Sequence, residues 1–231
     1  MNAPAPKTTP NPSLADAIED LFTTRGLSAG DLIPPTHELA KEFNVSRPVV
    51  REALAELTGR GLLNRQQGRE GMLRVPGEET LGRVFAYRLN ARDVSFSDLQ
   101  GFRELLEVDA ARLAAGRASM LDVAHLSDIL HSMSGATTEE EMLAADVEFH
   151  LAVARIANPL YGYVLEGLNS LLTQSRLTVW AEYVRAGGDV QTAIERHAQI
   201  RDRIAAVDPE GAAMAMKADL ADNLEGQSTA P

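Results

Sequence analysis

The chain has 231 residues, of which 45% are hydrophobic and 24% charged, and its formal net charge is −11. These values describe an ordinary globular protein with room for one large domain or two modest ones. No cysteine is present, which excludes disulfides, cysteine zinc sites and thiol catalysis and fits a reducing cytoplasm. No apolar run approaches the roughly 20 residues that span a bilayer, so we expect neither a membrane helix nor a signal peptide.

The first third of the chain carries signals for a small helical domain with a hairpin. Residues 1–12 are rich in proline and are expected to form a disordered tail, and residues 13–75 form the first predicted domain. Apolar spacing predicts three helices, which run from Ser13 to Arg25, from a cap at Thr36 onward, and from Arg47 to Arg60. The run LLNRQQGREGMLRV predicts two short strands around a turn at Gln67–Gly71. This order of elements is that of a winged helix-turn-helix.

The start of the third predicted helix, in VSRPVVREAL, has an unusual charge pattern. Ser46 is placed to cap the helix, and Pro48 fits its first turn. Arg47 and Arg51 lie four residues apart and share a face, although a helix start carries roughly +0.5 charge and favours anions. The arrangement therefore predicts an external anion at this helix start.

Local charge identifies nucleic acid as the anion that fits best. Residues 76–231 hold 13 Lys and Arg against 24 Asp and Glu, whereas residues 44–75 hold six Arg against three Glu, a local +3. A recognition helix enters the major groove by its N-terminal end, where Arg47 and Arg51 could reach guanine edges or phosphates. In the predicted hairpin, Gly68 and Gly71 permit close approach to DNA, and Arg69 could enter the minor groove or hold a phosphate. The alternative is a solvated basic face on a structural three-helix unit.

The remainder of the chain is predicted to be helical throughout. Residues 76–79, within PGEET, form a predicted linker, residues 80–226 a second domain and residues 227–231 a tail. Helical periodicity predicts seven helices, near 79–90, 96–117, 119–133, 138–157, 159–186, 189–206 and 208–224. The fold class is therefore mainly α, with an N-terminal winged helix-turn-helix, a small β-hairpin wing and a C-terminal all-α bundle of six to seven helices.

Two histidines and an aspartate in the second domain suggest a metal site. Asp146 and His150 lie four apart on one helix face, and His197 follows on a later helix. An i,i+4 pair points two ligands at one spot, so a distant histidine could complete a site for a divalent cation. The alternative is a surface hydrogen bond between Asp146 and His150.

Residues 30–75 resemble the winged helix-turn-helix of GntR-family transcription regulators. The run GDLIPPTHELAKEFNVSRPVVREALAELTGRGLLNRQQGREGMLRV matches the family's order of a leucine-proline turn, V-S-R-x-x-V-R-x-A-L and a Gly/Arg-rich wing. The resemblance implies that Arg47 and Arg51 contact DNA and that the wing glycines Gly68 and Gly71 lie near it. Ser46 and Arg69 are further predicted DNA-binding residues. His37 stands where the family usually has Arg, and Glu70 where the wing usually has Gly.

Residues 80–226 resemble the all-helical effector-binding (FCD) domain of the FadR subfamily within GntR regulators. The runs FRELLEVDAARLAA, DVEFHLAVARIANPL and HAQI resemble its helices. The resemblance implies a divalent metal (Zn, Mn or Ni) held by Asp146, His150, His197 and Asp219, the last standing where the family usually has His. Such a site can also be relaxed and empty, as in subfamily members that lack the metal.

The same resemblance implies that Arg103 binds the carboxylate of a small effector, and Asn158 matches a recurring Asn of that domain. Arg176, on the long predicted helix, is a further candidate to line the pocket. Arg103 could instead form an intrahelical ion pair with Glu107 or contact Glu104. Asn158, in ANP, equally suits the end of a helix.

Three functions remain open at this point. The leading hypothesis is a ligand-responsive transcription regulator, expected to be a repressor, that binds an inverted-repeat DNA operator as a homodimer and responds to a small carboxylate metabolite. The second is a metal-dependent enzyme that uses the Asp146/His150/His197/Asp219 site, although no HExxH, phosphate loop or Ser-His-Asp order supports it. The third is a DNA-binding protein whose second domain only dimerises.

Overall fold

A computed structural model describes residues 13–64, 71–169, 171 and 189–225. The chain divides into two compact units between Thr80 and Leu81. Within the described residues, no helix has the length and apolar character needed to cross a membrane.

The first unit has three helices and a short two-stranded sheet. Its helices are α1 (Leu14–Thr24), α2 (Thr36–Glu42) and α3 (Arg47–Gly59). The strands β1 (Leu63–Asn64) and β2 (Met72–Leu73) are antiparallel, with Leu63 opposite Leu73 and Asn64 opposite Met72. This order confirms the predicted winged helix-turn-helix.

Helix α3 packs against both other helices and thereby fixes its own orientation. Its inward residues Val50, Ala53, Leu54 and Leu57 are all buried at the 3.6-residue spacing that the sequence shows. They meet apolar side chains of the other elements, among them Ile18, Phe22, Ile33, Leu39 and Leu63. The opposite face of α3 is left at the surface of this unit.

Backbone conformation sets the turns on either side of α3. Asn44, in the turn from α2, has a φ of 52°, a left-handed conformation that Asn tolerates well. After α3, Gly61 has a φ of 82°, and a Cβ there would lie 2.9 Å from Thr80 Oγ1. Glycine therefore suits the end of this helix, because it adopts a positive φ without strain and adds no Cβ against Thr80. The predicted end is confirmed.

The second unit is all helical in its described part. It contains α4 (Glu78–Asn90), which spans the division, α5 (Phe96–Ala115), α6 (Met120–Gly135), α7 (Glu139–Ala157), α8 (described over 159–169), α9 (Val190–Ala205) and α10 (Pro209–Glu225). The predicted all-α bundle is confirmed. The predicted helix over 159–186 is described only in its first part.

Alanine-rich and leucine-rich faces make the core of this bundle. Helix α5 contributes Ala110, Ala111 and Ala114, whose small side chains allow close approach by neighbouring helices. Phe149 and Ile200, on α7 and α9, are fully buried among them. The buried polar residues of α5, α7, α9 and α10 lie in this same interior, which defines where a site can form.

Candidate nucleic-acid interface and metal centre

The start of α3 differs from the starts of α1, α5, α6 and α7. Helices α1, α5, α6 and α7 each begin with a reciprocal capping box, in which a Ser or Thr hydroxyl accepts from the N3 amide and the N3 carboxylate accepts in return. Ser46 occupies the corresponding position of α3, but its side chain makes no capping hydrogen bond. The N3 residue here is Val49, which has no carboxylate to complete a box. The expected side-chain cap by Ser46 is therefore wrong, as is the one by Thr36, which is the first residue of α2 after Pro35.

The two arginines at this helix start are exposed and form no ion pair with a described residue. Arg47 is the first residue of α3, and Arg51 follows one turn later on the same face. The other described arginines of this unit are all paired: Arg25 with Glu42, Arg60 with Asp16, Glu19 and Glu56, and Arg74 with Glu79. The charges of Arg47 and Arg51 therefore lie beside a helix start that has no side-chain cap. The backbone N–H groups and the helix dipole at such a start both favour an anion.

The remaining predicted DNA-contacting residues lie partly in the described chain. The side chain of His37 is 60% exposed, and its Nε2 atom is 4.0 Å from the Glu38 carboxylate. Gly71 is buried, and its carbonyl accepts a hydrogen bond from the Ile33 amide, so its backbone holds the strand against residues 30–33. Gly68 and Arg69 fall outside the described residues.

In the second unit, Asp146, His150 and His197 come together in the interior. Asp146 and His150 lie one turn apart on α7, and His197 lies on α9. Asp146 Oδ1 is 3.7 Å from His150 Nε2 and 3.2 Å from His197 Nε2, and the two imidazole rings meet edge to face at 5.2 Å. One potential ligand atom from each residue lies within 4.8 Å of the others. A tertiary contact thus joins residues that are 47 positions apart.

The two histidines present the same nitrogen to this spot. The Nδ1 atom of His197 is 2.8 Å from the Ala193 carbonyl oxygen, one turn back on its own helix. The Nδ1 atom of His150 contacts the carboxylate of Glu107 on α5. Both Nε2 atoms are buried and make no well-directed hydrogen bond with a described residue. Both Nε2 atoms thus lie within 3.7 Å of the Asp146 Oδ1 atom.

Asp219, on α10, lies beside both rings. Its Oδ2 atom is 3.4 Å from His150 Nε2, and its Oδ1 atom is 3.5 Å from His197 Nδ1. It is almost fully buried, and it is not one of the three residues whose ligand atoms converge most closely. Asp219 therefore borders the centre from a third helix.

Burial and charge act against each other on the titration of these groups. Burial alone would lower the pKa of His150, but the charge of Glu107, with Asp219 and Asp146, raises it to about 9. Burial likewise opposes protonation of His197, and Asp219 and Asp146 still raise its pKa. For Asp219, burial would raise the pKa, but His197 and His150 hold it below its usual value. The metal-free centre therefore favours imidazolium rings paired with carboxylates.

Comparison with known proteins settles the family. The model of bacterial regulatory proteins of the gntR family matches residues 12–70, and the FCD domain model matches residues 98–222. The HTH-type transcriptional regulator LutR of Bacillus subtilis is 31% identical over 199 residues, which cover 84% of this chain and 90% of LutR.

The chain belongs to the GntR family of transcription regulators.

Other similar proteins agree with this assignment. The HTH-type transcriptional repressor NanR of Escherichia coli (strain K12) is 27% identical over 210 residues, which cover 89% of this chain and 79% of NanR. The solved structure of Streptococcus agalactiae GntR aligns with a TM-score of 0.66 and 25% identity over 90% of this chain and 96% of that one. GntR-family proteins bind DNA operators through the first domain and small effectors through the FCD domain. This GntR-family chain is thus a DNA-binding regulator rather than an enzyme.

Arg103, the predicted effector ligand of this GntR-family chain, is buried on α5. Its Nε atom donates to Glu107 Oε1, so the intrahelical pair left open by the sequence does form. The Nη1 and Nη2 atoms of Arg103 make no hydrogen bond with a described residue. Asn158 ends α7, and its Oδ1 accepts from the Leu160 amide at the start of α8, which is the structural role. Arg176 lies outside the described residues.

Glu107 is the site residue that the sequence did not reveal. The sequence presented it only as a partner for Arg103, and nothing in its spacing linked it to His150. One signal was available: Glu107 shares a helix face with Ala110, Ala111 and Ala114, all of which are buried. A carboxylate on such a face must be paired, and a second partner beyond Arg103 was therefore to be expected.

Proposed function

We propose that the chain is a ligand-responsive repressor that binds an inverted-repeat operator as a homodimer through α3. The repressor assignment follows the naming of NanR, and the inverted repeat follows from the two-fold symmetry of a dimer. Ser46, Arg47 and Arg51 meet DNA at the start of α3, with the wing residues Gly68, Arg69 and Gly71 and with His37 nearby.

The observation that carries the DNA-contacting assignment is the contrast among the arginines of the first unit. Arg47 and Arg51 are exposed beside an uncapped helix start, while the other described arginines are held by carboxylates. Exposed guanidinium groups beside unfilled backbone donors suit phosphate and guanine, which offer acceptors in pairs.

Fluorescence anisotropy with a labelled duplex from the chain's own upstream region tests this assignment. Arg51→Ala should weaken specific binding by about 1–3 kcal/mol, the range of a bidentate arginine–guanine contact. Arg25→Ala removes an arginine from the same unit without touching α3 and should leave the affinity near that of the wild type. Equal affinities for Arg51→Ala and the wild type would refute the assignment of α3 as the recognition helix.

For the second unit, we infer a divalent metal site formed by Asp146, His150 and His197, with Asp219 beside it. The fit rests on two buried Nε2 atoms that lie beside the Asp146 carboxylate, while each Nδ1 contacts an oxygen atom outside these three residues, the arrangement that metal-binding histidines usually have. Charge agrees with this. A divalent ion with neutral histidines supplies the same positive charge as two imidazolium rings. Together with Arg103, which is paired with Glu107, it balances the three carboxylates of the described centre, Glu107, Asp146 and Asp219.

Thermal unfolding of chelator-treated protein tests the metal site. Zn²⁺, Mn²⁺ or Ni²⁺ should raise the melting temperature of the wild type, because an ion that binds only the folded state stabilises it. His197→Gln should lose most of that increase, whereas His131→Gln, at an exposed position on α6, should keep it. A wild-type protein that gains no stability with any of the three ions would refute the site.

We infer that the effector is a small carboxylate held by Arg103. With its Nε atom bonded to Glu107, the guanidinium retains its two Nη nitrogens, and these form the planar fork that binds a carboxylate through two hydrogen bonds. Native mass spectrometry of protein purified under mild conditions tests this inference. An acidic metabolite that co-purifies with the wild type and is absent from Arg103→Gln supports it, and equal retention by both contradicts it.

A further inference from the structure

Glu107 is buried between two charged groups that come from different parts of the second unit. It is only 1% exposed, and its two carboxylate oxygens have different partners. Oε1 accepts from Arg103 Nε on the same helix, α5, and Oε2 contacts His150 Nδ1 on α7. One carboxylate thus connects the proposed effector ligand to the proposed metal ligand.

The two histidines of the centre are held in different ways. His197 directs Nδ1 to the carbonyl of Ala193, which belongs to its own helix and stays in place whenever α9 is folded. His150 relies on a side chain of another helix. Since the partner of Nδ1 decides which ring nitrogen keeps the proton, Glu107 determines whether Nε2 of His150 is free to bind a metal.

Arg103 in turn holds Glu107. A carboxylate with almost no exposure would be costly to keep ionised without a fixed positive partner, and the Arg103 guanidinium, 4% exposed, is that partner within α5. A change at Arg103 therefore reaches His150 through one intervening side chain.

We propose that Glu107 is a positioning residue that couples Arg103 to the metal affinity of the centre. It orients His150 with Nε2 toward Asp146 and Asp219, and Arg103 fixes the carboxylate that does so. A carboxylate ligand on Arg103 would thereby alter metal binding without touching the metal. This inference rests on the proposed metal site.

Zinc affinity, measured by competition with a chromophoric chelator, tests the coupling on the full-length protein. Glu107→Gln preserves the shape of the side chain but presents an amide in place of the carboxylate, and it should weaken Zn²⁺ binding by about 10–100-fold. Glu104→Gln, on the same helix and half-buried, is the matched control and should stay within about twofold of the wild type.

A double-mutant cycle separates coupling from independent roles. Arg103→Gln should also weaken Zn²⁺ binding, although Arg103 is not a ligand, and it should have little further effect in the Glu107→Gln background. Additive losses in the double variant, or unchanged affinity in either single variant, would overturn the proposal. Melting temperatures of the zinc-free variants report whether each one is folded at the assay temperature.

A spectrum of the wild type tests the orientation without any substitution. In zinc-loaded, imidazole-¹⁵N-labelled protein, His150 should keep a proton on Nδ1 and bind zinc through Nε2, and the reverse pattern would overturn the inference. Failure here is distinguishable from failure of the metal site. A wild type that binds no zinc refutes both, whereas a wild type that binds zinc with equal affinity to Glu107→Gln refutes the role of Glu107 alone.

Discussion

Raising the pH is expected to destabilise the metal-free protein through His150. The folded protein raises the pKa of this group from 6.5 to about 9, so it holds the proton more tightly than the unfolded chain does. The resulting stabilisation is complete below about pH 6.5 and is lost as the pH rises through about 9. At roughly 1.36 kcal/mol for each pKa unit, the loss is on the order of 3 kcal/mol. His197 contributes with the same sign, because its pKa is raised as well.

Urea denaturation of chelator-treated protein at about pH 6 and about pH 9.5 measures this loss. His150→Gln removes the titrating group and should reduce the difference in unfolding free energy between the two pH values, whatever its effect on stability at either one. His131→Gln, at an exposed position, should retain the wild-type difference. Asp219, whose pKa is lowered, is ionised at both pH values and contributes equally to both.

Equal losses of unfolding free energy in the wild type and His150→Gln between the two pH values would contradict the role of His150. The metal-loaded protein gives a second test. Metal binds neutral imidazole, so saturating Zn²⁺ should remove most of the loss at high pH. A zinc-loaded protein with the same pH dependence as the metal-free one would show that His150 is not a ligand.

Three other substitutions test the fold and the interface. Leu54 is 1% exposed in the core of the first unit, and Leu54→Ala should lower the free energy of unfolding by about 2–5 kcal/mol. The melting temperature of that unit should fall, and an unchanged transition would contradict the assigned core. Ser119→Ala removes the capping box of α6 and should lower the free energy of unfolding, measured by urea denaturation, by about 1 kcal/mol. Ser132→Ala on the same helix should change it little, and equal effects of the two substitutions would contradict the cap. Arg47→Ala should reduce the slope of log affinity against log salt by about 1, and a wild-type slope would show that Arg47 meets no phosphate.

Local signals in the sequence predicted most of the helix positions. A Ser or Thr followed three residues later by Asp or Glu begins α1, α5, α6 and α7, and each of these pairs forms a reciprocal cap in the structure. Ser46 shows the limit of reading one residue at a time. Serine is a favoured N-cap residue, but Val49 at N3 has no carboxylate that could accept from the Ser46 amide, and the Ser46 hydroxyl makes no capping hydrogen bond.

The sequence predicted the residues of the candidate metal centre that lie one turn apart on a single helix better than the contacts that other helices supply. Asp146 and His150 share a helix face by spacing alone, and His197 was a candidate third ligand on a later helix, whereas Asp219 entered through the resemblance to a known domain. Glu107 was missed because its contact with His150 depends on how α5 packs against α7. Burial of that carboxylate is a tertiary property, and no periodicity within one helix specifies its partner on another.

Native mass spectrometry of the zinc-treated protein with a duplex from its own upstream region tests the central claim most directly. The expected result is one complex that contains two chains, one metal ion per chain and one duplex. The same protein should retain a duplex of scrambled sequence far less well, because base contacts at α3 provide the discrimination. Equal retention of both duplexes, or a metal-free monomer with no duplex bound, would contradict it.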